Sequence, residues 1–278
     1  MYGVVTRNEP ETTWEEFDRA FYEVKDVTGR GAEPIESATN MVSCFGDTAA
    51  VEADPSLAAV DADGTLATRE QPYFDWSYVC PSREEYRSGV LATIEDCAAV
   101  APDVRLDDVG FPRAGYCRCD TCREQFTESD HENWQEWRAA LITEFVAEAA
   151  SRIPGRTSLT LYPDPYPGHI FERSGLDIEA ITPHVDEFVV PLYDTAYGTT
   201  YWLEALASGF ADRIEADFAI ELYAVDVDLD ALIHAAEVAE ATADAIYFGY
   251  DASNARAALR RMNADAQDGV THGDGTGS

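Results

Sequence analysis

The stretch Val104–Phe126, VRLDDVGFPRAGYCRCDTCREQF, decides how the chain is read. It begins as a short apolar strand and ends that strand on two adjacent carboxylates, Asp107 and Asp108. A turn carrying Pro112 and Gly115 follows, then Cys117, Cys119 and Cys122, then the start of a helix. A strand that exits on acids into a loop, with a helix behind it, is the repeating unit of an α/β domain.

Working outward, the same unit recurs. Apolar or β-branched runs stand at 2–7, 40–45, 157–162, 187–193, 216–223 and 245–251, with a weaker run at 57–60. Between them, apolar residues return at spacings of three and four. Thr12 or Thr13 caps a predicted helix carrying Phe17, Phe21 and Val24. Ser82 and Glu85 form a capping box ahead of Tyr86, Val90, Ile94 and Cys97. Trp134, Trp137, Leu141, Phe145 and Ala149 share one face of a long helix that Pro154-Gly155 ends. Shorter helical patterns occupy 177–182, 200–209, 228–242 and 253–262. Seven strong strands and one weak one, without a linker, predict an α/β fold of (β/α)8 TIM-barrel type. It forms a single domain over residues 1–264, with a disordered polar tail at 265–278. A doubly wound nucleotide-binding sheet is disfavoured, because neither G-x-G-x-x-G nor G-x-x-x-x-G-K-[ST] occurs.

Charge describes the solvent more than a partner. Against 53 acidic residues stand 19 basic ones, a net charge of −34, and Lys25 is the sole lysine. This balance is of the haloarchaeal type, a hydrated surface suited to high salt, where the Debye length falls to about 3 Å at 1 M and self-repulsion is screened. With 46% hydrophobic residues the chain still buries a core. No basic patch for nucleic acid is visible, and no apolar run approaches the roughly 20 residues that span a bilayer. Without a signal-like N-terminus, the expected location is cytoplasmic.

In a barrel of this kind chemistry gathers at the carboxyl ends of the strands. Those ends offer Asp107 and Asp108, Tyr162 and Asp164, Tyr193 and Asp194, Glu221 and Tyr223, and Tyr250 and Asp251. Acids mixed with aromatic rings suit a carbohydrate substrate, and glycosidic cleavage needs two carboxyl groups in different protonation states. On a regular strand Asp107 and Asp108 point to opposite faces, so one of them enters the mouth; the pair could instead only order the turn. Glu221, inside FAIELYAV, is either catalytic or paired with an arginine such as Arg105 or Arg213. The loop 73–78, with Tyr73, Phe74, Asp75, Trp76 and Tyr78, offers rings and an acid to a sugar, and His169 closes a proline-rich loop at another strand exit.

Cys117-x-Cys119-x-x-Cys122 places three thiols within reach of one tetrahedral ion. Cys80, His131 and Cys44 are the candidate fourth ligands, with Cys80 first because it ends the aromatic loop. A structural zinc is the expected occupant, with no cofactor for catalysis. A reduced buried cluster, or a disulfide involving Cys80, would serve the same loop.

Four segments resemble glycoside hydrolases of the TIM-barrel type, the group of alpha-amylase-like and fucosidase-like barrels. They are LAAVDADG at 57–64, WSYVCPSREEYRSGVLATI at 76–94, LDDVGFP at 106–112 and GYCRCDTCREQF at 115–126. The resemblance implies a nucleophile on the fourth strand, at Asp107, with Glu221 assigned as general acid by position. Asp108, Asp75, Trp76, Tyr162, His169, Tyr193 and Asp194 would then contact the sugar, and the cysteine loop would be a lineage feature outside the chemistry. Two other readings stand beside it: a non-catalytic carbohydrate-binding or structural barrel, and a metal-dependent barrel isomerase or lyase.

Overall fold

The computed structural model describes residues 1–164, 166, 168–193 and 200–273, with the side chains of 200–202 and 266–273 left aside. Nine strands are formed among the described residues: β1 (Tyr2–Thr6), β2 (Arg19–Asp26), β3 (Gly29–Arg30), β4 (Thr39–Ser43), β5 (Val104–Asp107), β6 (Thr157–Thr160), β7 (Glu187–Leu192), β8 (Asp217–Tyr223) and β9 (Ala245–Gly249). Their order is β1-β9-β8-β7-β6-β5-β4-β2-β3, and β1 also pairs with β2. The two-residue β3 hangs antiparallel on the end of β2. The other eight close into a parallel barrel, sealed where Gly3 of β1 faces both Arg19 of β2 and Tyr247 of β9.

The helices are α1 (Thr48–Ala53), α2 (Glu84–Val100), α3 (Asp120–Glu128), α4 (Trp134–Ala150), α5 (His169–Ser174), α6 (Ile178–Ile181), α7 (Thr200–Ala211), α8 (Leu229–Glu240) and α9 (Ala252–Gly273). Strand residues divide between two cores. Val42, Leu106, Leu159, Phe188, Ile220 and Ile246 belong to the layer shared with the helices. Val5, Phe21, Met41, Val189, Ala219, Ala245 and Tyr247 fill the barrel interior. With apolar contact on both faces, the strands read as continuous hydrophobic runs.

The predicted (β/α)8 barrel is therefore the fold, but its strand assignment changes near the N-terminus. The helix expected around Phe17, Phe21 and Val24 is strand β2; only a single turn of 3-10 helix, Glu9–Thr13, precedes it. RAFYEVKD satisfies both periods, and burial on two faces selects the strand. The weak strand at 57–60 is instead part of the long β4–α2 loop, held by isolated bridges Ala58↔Val79 and Val60↔Leu66. The expected capping box at Ser82 is not used: α2 starts after Arg83 without a side-chain cap, and the Ser82 hydroxyl lies against sulfur. Helix α9 is described as far as Gly273, past the start of the segment read as a tail.

Candidate active site at the barrel mouth

The strand order makes β5 the fourth of the eight barrel strands. Leu106 packs outward, so Arg105 and Asp107 face the barrel axis. Asp108 follows with φ 49°, a left-handed turn that aspartate tolerates better than most residues. The turn breaks the strand alternation, and Asp108 Oδ2 lies 2.6 Å from the Ser43 hydroxyl at the end of β4. Both adjacent acids thus reach the mouth, where a regular strand would have sent one away. Gly46 is required beside them: a Cβ there would stand 2.8 Å from Asp108 Oδ2 and 2.9 Å from Trp76 Nε1.

Partial enclosure, then the neighbouring Asp107, lifts the Asp108 carboxyl to about 7, against the opposing pull of Ser43 and Lys25. The hydrogen bonding fits a protonated form. Ser43 Oγ has one proton and two facing acceptors, the Gly46 carbonyl at 2.9 Å and Asp108 Oδ2 at 2.6 Å. A protonated Asp108 donates to Ser43 Oγ and leaves Ser43 free to donate to Gly46. Lys25, the sole lysine, sits behind this turn, bonded to the Ser43 carbonyl at 2.8 Å and paired with Asp47 at 3.1 Å.

Glu23 of β2 is a third carboxylate in this group, and the helix reading of its segment concealed it. Burial raises it to about 7; Arg7 opposes this and Asp107 adds to it. Its partners are the Arg7 guanidinium and the Tyr250 hydroxyl, the latter at 3.1 Å. An acid within an apolar run was the available signal, as it was for Glu221.

Glu221 is fully buried. One carboxylate oxygen lies 2.5 Å from Arg105 Nη2, and the other accepts the Tyr193 hydroxyl. Burial alone would lower the Arg105 pKa, but Glu221 and then Asp107 outweigh it and raise it. The anticipated choice of arginine falls on Arg105, and both oxygens of Glu221 are taken up by structure. Tyr193, Tyr223 and Tyr250 stand around this pair with centroids 5.3–6.4 Å apart.

The 73–78 loop forms one rim. Phe74 packs on Tyr73, Tyr78 and Tyr116 at 4.8, 5.4 and 5.5 Å. Trp76 lies 5.9 Å from Tyr78, and its buried indole N–H has no partner among the described residues. Asp75 is exposed at the loop's tip, where its carbonyl accepts from Arg69. Beside this loop, Tyr162 is 41% exposed beneath Arg173, whose guanidinium carbon is 3.5 Å from the ring centroid. His169 opens α5 with Nδ1 3.0 Å from Asp164 Oδ2. Asp194 lies outside the described residues. A separate cavity of 560 Å³ on the outer wall, lined by residues such as Phe171, Leu176, Pro183 and Phe210, lacks this convergence of acids.

Cys80, Cys117, Cys119 and Cys122 form the only group of three or more Cys, His, Asp or Glu among the described residues whose donor atoms all lie within 4.8 Å of one another. All four are buried and none is in a disulfide. Zinc–sulfur bonds of about 2.3 Å in a tetrahedron place sulfurs about 3.8 Å apart, so these residues fit such an ion. Cys80 Sγ is 3.8 Å from Cys119 Sγ and 3.3 Å from Cys122 Sγ. The backbone N–H groups of Val60 and Cys122 point at Cys117 and Cys119 sulfurs, at 3.3 and 3.5 Å. Such donors stabilise thiolate charge. His131 and Cys44 stand outside the cluster. Four thiol ligands leave no position open for substrate, so the ion would tie the aromatic loop to the β5 exit loop and take no part in chemistry.

No family model matches the chain, and no curated protein matches it in sequence. Among solved structures, it is similar to alpha-L-fucosidase isoenzyme 2 from Paenibacillus thiaminolyticus, with 11% identity over 96% of this chain and 49% of that one, at a TM-score of 0.62. The GH53 catalytic domain of Ignisphaera aggregans overlays 84% of this chain and 74% of its own at 12% identity and a TM-score of 0.43. An alpha-amylase from Lactobacillus plantarum overlays 90% and 70% at 12% identity and 0.46. The likeness to the fucosidase is one of fold, a TIM barrel, and the chain spans about half the length of that structure. Among the described residues, no helix is long and apolar enough to cross a membrane.

Proposed function

We propose that the barrel mouth hydrolyses a glycosidic bond, with Asp107 as the attacking carboxylate and Asp108 as the proton donor. The observation that supports this is the cluster of Glu23, Asp107 and Asp108, two of which are lifted to about 7 by enclosure and mutual repulsion. Neighbouring acids held in different protonation states are what general-acid and nucleophilic roles require. Asp108 is preferred over Glu23 as donor because it is partly solvent-exposed, whereas Glu23 is 8% exposed and engaged by Arg7 and Tyr250. Glu221, assigned the acid role from its position in the sequence, is better suited to holding Arg105 in place: a wholly buried carboxylate with both oxygens engaged has no path to a leaving group.

In the proposed reaction Asp107 attacks the anomeric carbon while Asp108 passes its proton to the departing glycosidic oxygen. Water then releases the sugar from Asp107, with Asp108 recovering a proton from that water. Trp76, Tyr162 and Tyr193 supply ring faces for the sugar, while Asp75, His169 and Asp194 are assigned outer contacts. A mouth-bound divalent metal, which an isomerase or lyase reading would need, has less support, since among the described residues the mouth carboxylates do not gather into a three-donor group.

A panel of aryl glycosides with good and poor leaving groups tests this proposal. Asp107→Asn should abolish turnover on all of them while sugar binding persists. Asp108→Asn should lose most activity on poor leaving groups, by about 100-fold or more, and far less on activated ones, which need little protonation. Full activity in Asp107→Asn would sink the assignment.

A further inference from the structure

The rim beside the aromatic loop carries two arginines that no acid pairs directly among the described residues. Arg113, in the loop after β5, and Arg173, on α5, make no ion pair and donate no side-chain hydrogen bond among the described residues, in a chain with 53 acidic residues. Each instead lies on an aromatic face: Arg113 is 4.7 Å from the centroid of Tyr73, and Arg173 is 3.5 Å from that of Tyr162. Stacking covers one face of a guanidinium and leaves its N–H edge directed elsewhere. Arg173 Nε is buried and without a partner, which is costly for a charged donor unless a ligand completes it.

The pair is held in place from beneath. Arg138 is fully buried, and its Nη2 donates to the backbone carbonyls of Arg113 at 3.1 Å and Arg173 at 2.8 Å. One guanidinium nitrogen therefore fixes the two residues beside each other although one lies in the loop after β5 and the other on α5. Their closeness shows in their electrostatics: the Arg173 pKa is lowered by burial first, with Arg113 adding to the effect. The pair also adjoins the carboxylates. Phe111 N–H donates to the Ser174 carbonyl at 2.9 Å, so the residue after Arg173 is bonded to the loop that leaves Asp107 and Asp108. Gly110 permits that contact, since a Cβ there would meet the Ser174 oxygen at 2.7 Å. Tyr78 lies near both groups: burial and then Asp108 raise its pKa, and Arg173 opposes them.

We infer that Arg113 and Arg173 form an oxyanion subsite beside the reacting carboxylates, so that the substrate is a sugar bearing a negatively charged substituent. Its carboxylate, sulfate or phosphate oxygens take the free edges of both guanidinium groups, while the sugar ring extends toward Asp107 and Asp108. The inference rests on the glycoside reading of the same mouth. The acids alone would repel such a ligand; the paired arginines supply the opposite charge at a fixed distance from the chemistry and so select for it.

Calorimetric titration at constant ionic strength with glucose, glucuronate, glucose 6-sulfate and glucose 6-phosphate tests this. At least one charged sugar should bind tenfold or more tightly than glucose, and the one preferred identifies the oxyanion. Arg173→Gln and Arg113→Gln should each weaken that ligand about tenfold, as expected for loss of a charged hydrogen bond. Arg173→Lys should recover part of the loss, and glucose binding should be unchanged throughout. Unfolding midpoints of the variants identify any that have lost the fold. Glucose binding as tightly as every charged sugar, no measurable binding of any charged sugar, or charge preference surviving in a folded double variant would overturn the inference. Repeating the titration with Asp107→Asn separates the two proposals. Charge preference without any glycoside turnover in the native enzyme removes only the hydrolase; turnover confined to neutral glycosides removes only the oxyanion subsite.

Discussion

The lower and upper halves of the barrel interior treat buried carboxylates in opposite ways. At the lower end Glu187 takes Arg19 Nη1 at 3.0 Å, Ser158 Oγ at 2.7 Å and Tyr247 Oη at 2.7 Å. The ring of Phe21 separates Arg19, 4.8 Å below it, from Arg105, 5.2 Å above. Arg105 in turn neutralises Glu221. Each acid up to this level has a cation and further donors. Above it, Glu23, Asp107 and Asp108 outnumber their cations, and enclosure with mutual repulsion holds two of them near 7. The lower pairs have the character of fixed supports, and the upper group that of a site kept reactive.

Breaking a lower pair should produce the largest effect. Arg105→Met leaves Glu221 buried without its counter-ion, and the expected cost is about 3–5 kcal/mol of unfolding free energy. Adding Glu221→Leu should restore most of it, since the cost lies in the orphaned charge. Denaturant unfolding at one fixed salt concentration measures both. A loss below about 1 kcal/mol in the single variant would dissolve the contrast between the two halves.

Next comes the cysteine site, which supports the rim from outside the barrel. Elemental analysis should find one zinc per chain, and chelation should lower the unfolding temperature. Free zinc at a hundredfold excess over Kd adds about 2.7 kcal/mol to the native state if only that state binds it. Cys119→Ser should lower zinc content and speed proteolytic cleavage within residues 61–79, while Arg105→Met should leave zinc content alone. Zinc retained at full stoichiometry by Cys119→Ser would remove the four-cysteine assignment.

The same contrast explains what the sequence made legible. Periodicity and the strand–loop–helix rhythm carried the barrel, because burying eight strands on both faces imposes apolar runs. The cysteine set was legible because thiols are scarce and ligand spacing is narrow; Cys80 was placed with its partners from loop position alone. Glu221 stood out as an acid in an apolar run, and its pairing with Arg105 was one of the alternatives that run suggested. Glu23 was hidden because RAFYEVKD satisfies helix and strand periods alike, and only closure of the sheet decides between them. Asp108 was set apart from Asp107 by assuming a regular strand; the positive φ that brings it into the mouth has no signature in a lone Asp-Asp. Nor could spacing reveal that Arg138 brings Arg113 and Arg173 together, since that contact joins three separate segments.

The smallest predicted effect tests the upper group by itself. Asp108 and Glu23 have ordinary values of 3.8 and 4.5 and stand near 7 in the native state. Between about pH 4 and pH 7 the native protein therefore binds more protons at these sites than the unfolded chain does. Their contribution to stability is fully present below pH 4 and is lost as pH rises through 7. Each group adds a slope no steeper than about 1.4 kcal/mol per pH unit. Because Asp107 couples to both, the decline should be spread over more than one titration step. The other acids titrate as well, so the informative quantity is the difference between the native protein and the Asp108→Asn, Glu23→Gln double variant. Unfolding midpoints from pH 4.5 to 7.5 should fall less steeply in the variant, whose amides have no proton to lose, and the two curves should separate most near pH 7. Parallel curves would mean that the upper carboxylates are as well neutralised as Glu187, and the mouth would lose its claim to a proton held ready near neutrality.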